Sequence, residues 1–139
     1  MATVLRPELS QKNKYWLERH RYYELKHFCL QYPIWKKAYA ALDGFSVRSN
    51  DVIATTDKSA ASDPTAKVAE ARLFYSERMK MVEDAAKETD SALGDYILLG
   101  VTEGLSYDSL AMKYPLPCCK DVYYEMYRRF FWLLNTKRQ

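Results

Sequence analysis

Residues 105–134 read LSYDSLAMKYPLPCCKDVYYEMYRRFFWLL, and this stretch decides the fold of the C-terminal part of the chain. Ser106 is typical of the residue that caps the start of a short helix, and Pro115 prevents that helix from continuing. A second helix is predicted to begin near Cys118 or Cys119 and to run to the end of the stretch. The pattern therefore predicts two helices joined by a proline-containing turn.

The second of these helices has two different sides. Apolar side chains recur every three or four residues on the side that we expect to face the core, which is formed by Tyr123, Met126, Phe130 and Leu133. Tyr124 and Arg128 are predicted to lie on the opposite, outward side. Lys120 and Asp121 lie near them, at the start of the helix.

The sizes of several side chains predict how this pair of helices packs. Leu110 and Ala111 fit the place where the second helix crosses the first closely, because a small side chain is needed there. Leu116 is expected to fill the turn. Phe131 and Trp132 fall partly outside the core side, so we expect them to pack against the N-terminal helix or against a second chain.

A helix pair of this kind is suited to binding duplex DNA. The second helix would enter the major groove, where Arg donates two hydrogen bonds to guanine and Lys meets a base or a phosphate. The candidate groove residues are Lys120, Asp121, Tyr124 and Arg128. The candidate phosphate contacts, which fix position without reading sequence, are Lys113, Arg129, Lys137 and Arg138. Two amphipathic helices with a proline turn also occur in helical proteins that do not bind nucleic acid.

The N-terminal part of the chain predicts a helical hairpin over residues 1–43. Its first helix is expected from about residue 12 to residue 31, and its second from Pro33 to about residue 42, with Asp43-Gly44 as its end. Residues 44–63 are rich in Ser, Thr, Asp and Ala and show no sustained period. We therefore predict a mobile linker there.

Residues 64–139 are predicted to form a helical domain that contains a helix-turn-helix at about residues 106–134. Asp63-Pro64 is a strong helix start, and the long helix that follows is expected to end near Glu88. Asp90 or Ser91 caps a fourth helix that ends near Glu103-Gly104. No long run alternates apolar and polar residues, so the expected fold class is all-α.

Composition points to a protein that folds inside the cell. With 139 residues, 48% of them hydrophobic, the chain is long enough to bury a core without a metal ion or disulfides. Its three cysteines are odd in number, and the adjacent Cys118 and Cys119 bridge each other only with backbone distortion. The N-terminus has no apolar signal segment, and no apolar run is long enough to span a bilayer. We expect a cytoplasmic location in a host cell and no membrane contact.

Charge and motifs argue against an enzyme. The net charge is +3, and both ends of the chain are basic while the middle is not. There is no glycine-rich phosphate loop and no recognisable nucleophile motif, so we predict no catalytic residues. His20 and His27 are seven residues apart, which does not suit a shared metal on one helix face, and we predict no metal and no cofactor.

Several segments, taken in order, resemble the phage late-gene regulators called RinA and ArpU. They are YELK at residues 23–26 followed by Tyr32-Pro33 and a basic helix, DPTA at residues 63–66, and residues 107–131. The resemblance covers most of the chain. It implies a C-terminal helix-turn-helix like that of sigma-factor region four, without a wing, and an N-terminal helical hairpin. In that family the recognition helix commonly opens with Ser or Thr, where this chain has Cys118 and Cys119.

These observations predict a phage sequence-specific transcriptional regulator that binds double-stranded DNA. A homo-oligomer is an open alternative, because a dimer suits paired half-sites. Two other functions also stay open. One is a small DNA-packaging subunit of the terminase type. The other is a phage inhibitor that binds a host defence nuclease or another host protein.

Overall fold

The computed structural model of the protein describes residues 13–53 and 64–139, with the side chains of residues 43–53 left out. Every regular element in these residues is an α-helix, so the predicted all-α class is confirmed. In chain order the helices of the described residues are α1 (Arg19–Leu30), α2 (Tyr32–Ile53), α3 (Pro64–Thr89), α4 (Gly94–Glu103), α5 (Tyr107–Lys113) and α6 (Lys120–Lys137).

Most helix ends follow local signals that the sequence displays. Pro64 is the first residue of α3, where its fixed φ suits a helix and its missing N–H costs nothing. Before α4, the carboxylate of Asp90 accepts hydrogen bonds from the backbone N–H groups of Ala92 (2.7 Å) and Leu93 (3.2 Å). Gly104 ends α4 with a φ of 69°, a left-handed conformation that favours glycine.

The first helix begins later than the sequence suggests. α1 starts at Arg19 rather than near residue 12, because side chains before it bond to the backbone in non-helical turns. Asn13 Oδ1 accepts a hydrogen bond from the Tyr15 N–H at 2.8 Å. The carboxylate of Glu18 caps α1 by accepting from the N–H of His20 at 3.3 Å.

The helix end predicted at Asp43-Gly44 is wrong. α2 continues from Tyr32 to Ile53, so residues 44–53, which were expected in a linker, are helical. A single glycine inside a helix costs only about 1 kcal/mol, and no proline follows it to stop the helix. The rest of the predicted linker, residues 54–63, lies outside the described residues.

The chain divides into two compact units, and the boundaries lie inside α2 and α3. Among the described residues, the first unit combines 13–32 with 81–139, and the second consists of 33–53 and 64–80. The domain boundaries predicted from sequence, at residues 43 and 63, stay a prediction.

In the first unit, α1, α4 and α6 pack against one another, and α5 packs against α4 and α6. The largest fully buried side chains of this core are Leu25, Cys29, Val82, Ile97, Leu110, Tyr123, Phe130, Phe131 and Leu134. The ring of Phe131 meets that of Tyr22 in α1 edge-on, with centroids 5.2 Å apart. Phe131 therefore packs against the N-terminal helix, one of the two partners expected for it.

The second unit contains the greater part of α2 and the first part of α3. Trp35 and Val68 are its buried apolar side chains among the described residues. A guanidinium nitrogen of Arg72 donates a hydrogen bond to the hydroxyl of Tyr39 at 3.4 Å, which links the two helices within this unit. Within the described part of the chain, no helix is both long enough and apolar enough to span a membrane.

Candidate nucleic-acid interface

Hydrogen bonds fix α5 to the turn that follows it. The Ser106 hydroxyl caps α5 by accepting from the N–H of Ser109 at 3.2 Å, as the sequence predicts. The hydroxyl of Tyr107 donates to the carbonyl oxygen of Cys118 at 2.8 Å. This bond joins the first residue of α5 to the last part of the turn. Tyr114 leaves the helix in an extended conformation, as is usual for a residue before proline.

The close approach between helices lies at a different place from the one expected. Ala111 is exposed, so it does not provide the contact with α6. The small residue at a close contact is instead Gly100 in α4, where an added Cβ would lie 2.3 Å from the hydroxyl oxygen of Tyr123. Leu116, expected to fill the turn, is half-buried.

α6 begins where the sequence predicts, and its first turn is open in the sense that it has no side-chain cap. Cys119 is the capping residue, with an extended backbone, and its side chain makes no capping hydrogen bond. The N–H groups of the first turn therefore have no side-chain acceptor from the residue that usually supplies one. Asp121 and Val122 in this turn are exposed.

The side of α6 that faces the core is rotated about the helix axis relative to the predicted side. Tyr123 and Phe130 are buried as predicted, but Met126 and Leu133 are only half-buried. The buried side includes Phe131 and Leu134 instead. The reason is that α6 contacts α1 and α4 as well as α5, so its buried side spans a wider arc than one neighbour requires.

The two groove residues that were expected to project outward differ in position. Tyr124 lies at the edge of the core: its hydroxyl accepts from the N–H of Tyr107 at 3.2 Å, and its ring packs against that of Tyr127 with centroids 5.7 Å apart. The expectation that Tyr124 projects freely is therefore wrong. Arg128 is half-buried and forms an ion pair with Glu125 at 3.5 Å, one turn before it on α6.

The charged residues around the turn are the most accessible of the predicted set. Lys113 is exposed at the end of α5 and forms no ion pair with the residues that the structure describes. Lys120 lies 3.4 Å from the carboxylate of Asp108. An exposed pair of this kind contributes at most about 1 kcal/mol, so Lys120 can exchange its partner at little cost.

Arg129, a predicted phosphate contact, is directed toward the N-terminal segment. It donates a hydrogen bond to the hydroxyl of Tyr15 at 3.1 Å. This bond lowers the pKa of Tyr15, because a cation beside the hydroxyl favours the phenolate. Its side chain thus helps to hold the segment before α1 against α6.

Lys137 and Arg138 also have partners far away in the sequence. Lys137 forms an ion pair with Glu88 of α3 at 2.5 Å. The guanidinium of Arg138 lies 4.0 Å from the ring centroid of Phe28 and 4.0 Å from the carboxylate of Glu24, both in α1. The structure thus separates the predicted cations into an accessible group at the turn and a group that holds α6 to the rest of the unit.

Sequence reasoning missed the partners of this second group. Tyr15, Glu24 and Glu88 lie 49 or more residues from their partners in this group, which are Arg129, Arg138 and Lys137 respectively. Contacts over such distances leave no periodic signal in one sequence. The surplus of aromatic residues in and just before α1 is the nearest hint of them.

The thiol of Cys118, in the turn, shows no sign of activation. Burial raises the pKa of the Cys118 thiol, and the neighbouring Cys119 and Asp90 raise it further. A thiol with a raised pKa is a poor nucleophile at neutral pH. No group of three or more His, Cys, Asp or Glu side chains in the described part of the chain is placed to hold a metal ion.

Comparison with known proteins finds no match to this chain among family models, curated proteins or solved structures. The assignment of a function therefore depends on the chemistry of the residues themselves.

Proposed function

We propose that the protein is a phage sequence-specific transcriptional regulator that binds double-stranded DNA through α5, the turn and α6, acting as a helix-turn-helix. The observation that carries this proposal is the open first turn of α6, with Lys113 before the turn and Lys120 after it. The resemblance to the RinA and ArpU regulators supports the phage context.

The first turn of α6 suits a DNA phosphate. Its N–H groups have no side-chain cap, and the positive end of the helix dipole favours an anion there. Lys113 adds a cation that no internal ion pair occupies. Lys120 adds a second one after it leaves Asp108. Contacts of this type give affinity and set the register of the helix on the duplex.

In this proposal, residues on the outward side of α6 contact the DNA bases. Asp121 is exposed, and Arg128 exchanges its weak pair with Glu125 for a guanine edge in the major groove. Tyr124 contributes from the edge of the core, where its hydroxyl already accepts a hydrogen bond from the Tyr107 N–H. Arg129, Lys137 and Arg138 act mainly inside the protein and take a smaller part in phosphate contact.

The test starts from duplexes selected out of a random pool, with binding measured by fluorescence anisotropy at several salt concentrations. Arg128→Ala is expected to reduce the preference for the selected over a random duplex about tenfold or more. Lys113→Ala is expected to weaken both duplexes alike and to lower the salt slope by about one.

Lys87→Ala is the matched control, because Lys87 is an exposed lysine of α3 far in sequence from the turn. It should leave both affinities unchanged. The regulator proposal fails if no duplex binds at low salt, or if Arg128→Ala weakens selected and random duplexes equally.

A second candidate function is binding of a host protein, such as a defence nuclease. Exposed apolar side chains on either side of the turn favour it: Met112 is 88% exposed and Val122 is 45% exposed. Exposed apolar groups commonly mark protein interfaces. Copurification of a host protein that survives nuclease treatment, together with no duplex binding at low salt, would select this function.

The packaging alternative predicts a ring of subunits. A mass measurement in solution separates it from a monomeric or dimeric regulator.

A further inference from the structure

A cavity of about 270 Å³ lies in the first compact unit, among α1, α4 and α6. Four tyrosines line it, two from α1 and two from α6: Tyr22, Tyr23, Tyr124 and Tyr127. The remaining lining includes Lys26 of α1 and the glycines at positions 100 and 104. The cavity is thus walled by aromatic rings and carries a single cation.

Lys26 is available to a ligand. It is half-buried, and it forms no hydrogen bond or ion pair with the residues that the structure describes. The nearby Arg21 and Arg138, in contrast, both share the carboxylate of Glu24. No Asp or Glu side chain lines the cavity. An anion entering it therefore meets one uncommitted positive charge and no carboxylate.

The hydroxyl of Tyr127 adds no negative charge to the cavity. Burial raises the pKa of Tyr127 well above its usual value, and the nearby Tyr22 hydroxyl at 3.4 Å raises it further. Tyr127 therefore stays neutral at physiological pH and serves as a hydrogen-bonding group.

The rings offer surfaces for a planar ligand. Tyr22 and Tyr23 lie with centroids 5.2 Å apart and tilted planes, and Tyr124 and Tyr127 meet edge-on at 5.7 Å. Bases stack on aromatic side chains of this kind whatever their sequence. Because the volume lies near the lower limit for ligand pockets, roughly 300 Å³, it suits one ring system with a small substituent rather than a dinucleotide.

We propose that this cavity binds a single nucleotide, with its base against the tyrosine rings and its phosphate at the amino group of Lys26. A free mononucleotide and an unpaired nucleotide of a DNA strand share this chemistry. The proposal does not depend on duplex binding by α6.

The test is calorimetric titration of the full chain with the four nucleoside monophosphates and with the corresponding nucleosides. A nucleotide is expected to bind saturably and about tenfold more tightly than its nucleoside, the gain from a hydrogen bond to a charged group. Lys26→Met removes the charge and keeps most of the side-chain stem, so it should abolish the preference for the phosphate. Lys87→Met is the matched control and should preserve it.

Tyr23→Leu tests the aromatic wall, because Tyr23 is 36% exposed and its loss does not open the core. We expect this variant to weaken nucleotide and nucleoside alike, by about fivefold or more. A single-stranded oligonucleotide with a 5′-phosphate identifies the source: tighter binding than the mononucleotide assigns the site to a strand, and equal binding assigns it to a free nucleotide.

The proposal is overturned if no nucleotide binds saturably to the wild-type chain, or if Lys26→Met keeps the preference for nucleotide over nucleoside. Duplex binding is measured in parallel. Its loss in the Lys113→Ala variant, with mononucleotide binding intact, would show that the two sites act separately.

Discussion

Among the glycines whose surroundings the structure describes, Gly100 is the one at which an added Cβ would come closest to a neighbour, the hydroxyl of Tyr123. An alanine at position 100 would place its Cβ 2.3 Å from the Tyr123 hydroxyl oxygen and 3.3 Å from Leu110 Cδ1. Both neighbours are fully buried and cannot move aside without disturbing the core. We expect Gly100→Ala to lower the free energy of unfolding by about 1–3 kcal/mol, measured by urea denaturation.

Tyr123→Phe provides the control for this prediction. The buried hydroxyl of Tyr123 finds no hydrogen-bond partner among the described residues, so its removal should be neutral or stabilising. In the double variant the phenylalanine removes the atom that the new Cβ would meet, and stability should recover in part. Additive effects of the two changes would contradict this account of the contact.

The three cysteines differ in environment, which predicts an order of reaction. Cys119 is exposed, Cys118 is half-buried with a raised pKa, and Cys29 is fully buried with a pKa raised mainly by burial. Because the thiolate is the reactive form, iodoacetamide at mildly alkaline pH should modify Cys119 first and leave Cys29 intact. Peptide mapping by mass spectrometry measures this order. Early alkylation of Cys29 in the folded protein would contradict its placement in the core.

At the scale of elements, the duplex contact proposed at the start of α6 predicts that stability and DNA binding respond to the same substitutions. Cys119→Ser supplies the side-chain cap that α6 lacks and should stabilise the protein by about 0.5–1 kcal/mol. Cys119→Asp should stabilise it at least as much, because a negative charge is also favoured at this end of the helix.

The two variants should differ in their effect on duplex binding. The aspartate repels a phosphate and occupies N–H groups that the phosphate would use, so Cys119→Asp should weaken selected and random duplexes by about tenfold or more. Cys119→Ser should weaken them less. Both stability and anisotropy are measured on the same samples. Unchanged duplex affinity in the aspartate variant would place the DNA contact away from this turn.

Helix boundaries show which elements can be read from sequence. Pro64, Ser106 and Gly104 act on their own backbone or on groups a few residues away, so their signals are visible without a structure. Gly44 does not end its helix, because the intrinsic cost of one glycine inside a helix is small. The start of α1 is later than apolar periodicity predicts, because Asn13 and Glu18 bond to nearby backbone groups and periodicity does not record such bonds.

The candidate site was harder to predict than the helices that form it. The sequence predicts that Lys113 and Lys120 flank a turn, because their order along the chain determines this. It does not predict the rotation of α6, which depends on simultaneous contact with α1 and α4. The position of Tyr124 at the core edge and the attachment of Arg138 to α1 both follow from that packing. The cavity with Lys26 requires three helices to be placed together, so no local pattern reveals it.

At the scale of the whole molecule, buried thiol and phenol groups predict that the protein loses stability at alkaline pH. Burial raises the pKa values of Cys29, Tyr32, Tyr123 and Tyr127, and the carboxylate of Glu83 raises that of Tyr32 further. In the unfolded chain these groups ionise at about pH 8.5 for cysteine and about pH 10 for tyrosine. The stability that these groups contribute to the folded state is fully present below those pH values. It is lost as the pH rises beyond them, because the unfolded state then releases protons that the folded state retains.

Tyr15 has the opposite sign, since Arg129 lowers its pKa and favours its phenolate in the folded state, but it is one group against these four and Cys118, whose pKa is also raised. We therefore expect the free energy of unfolding, from urea titrations at a series of pH values, to be level near neutrality and to fall steeply above about pH 10. Tyr123→Phe removes one of the four groups, so its stability should fall less steeply over the same range. A level or rising profile above pH 10 would mean that these hydroxyls reach solvent in the folded protein, and the aromatic core around α6 would then have to be looser than its packing indicates.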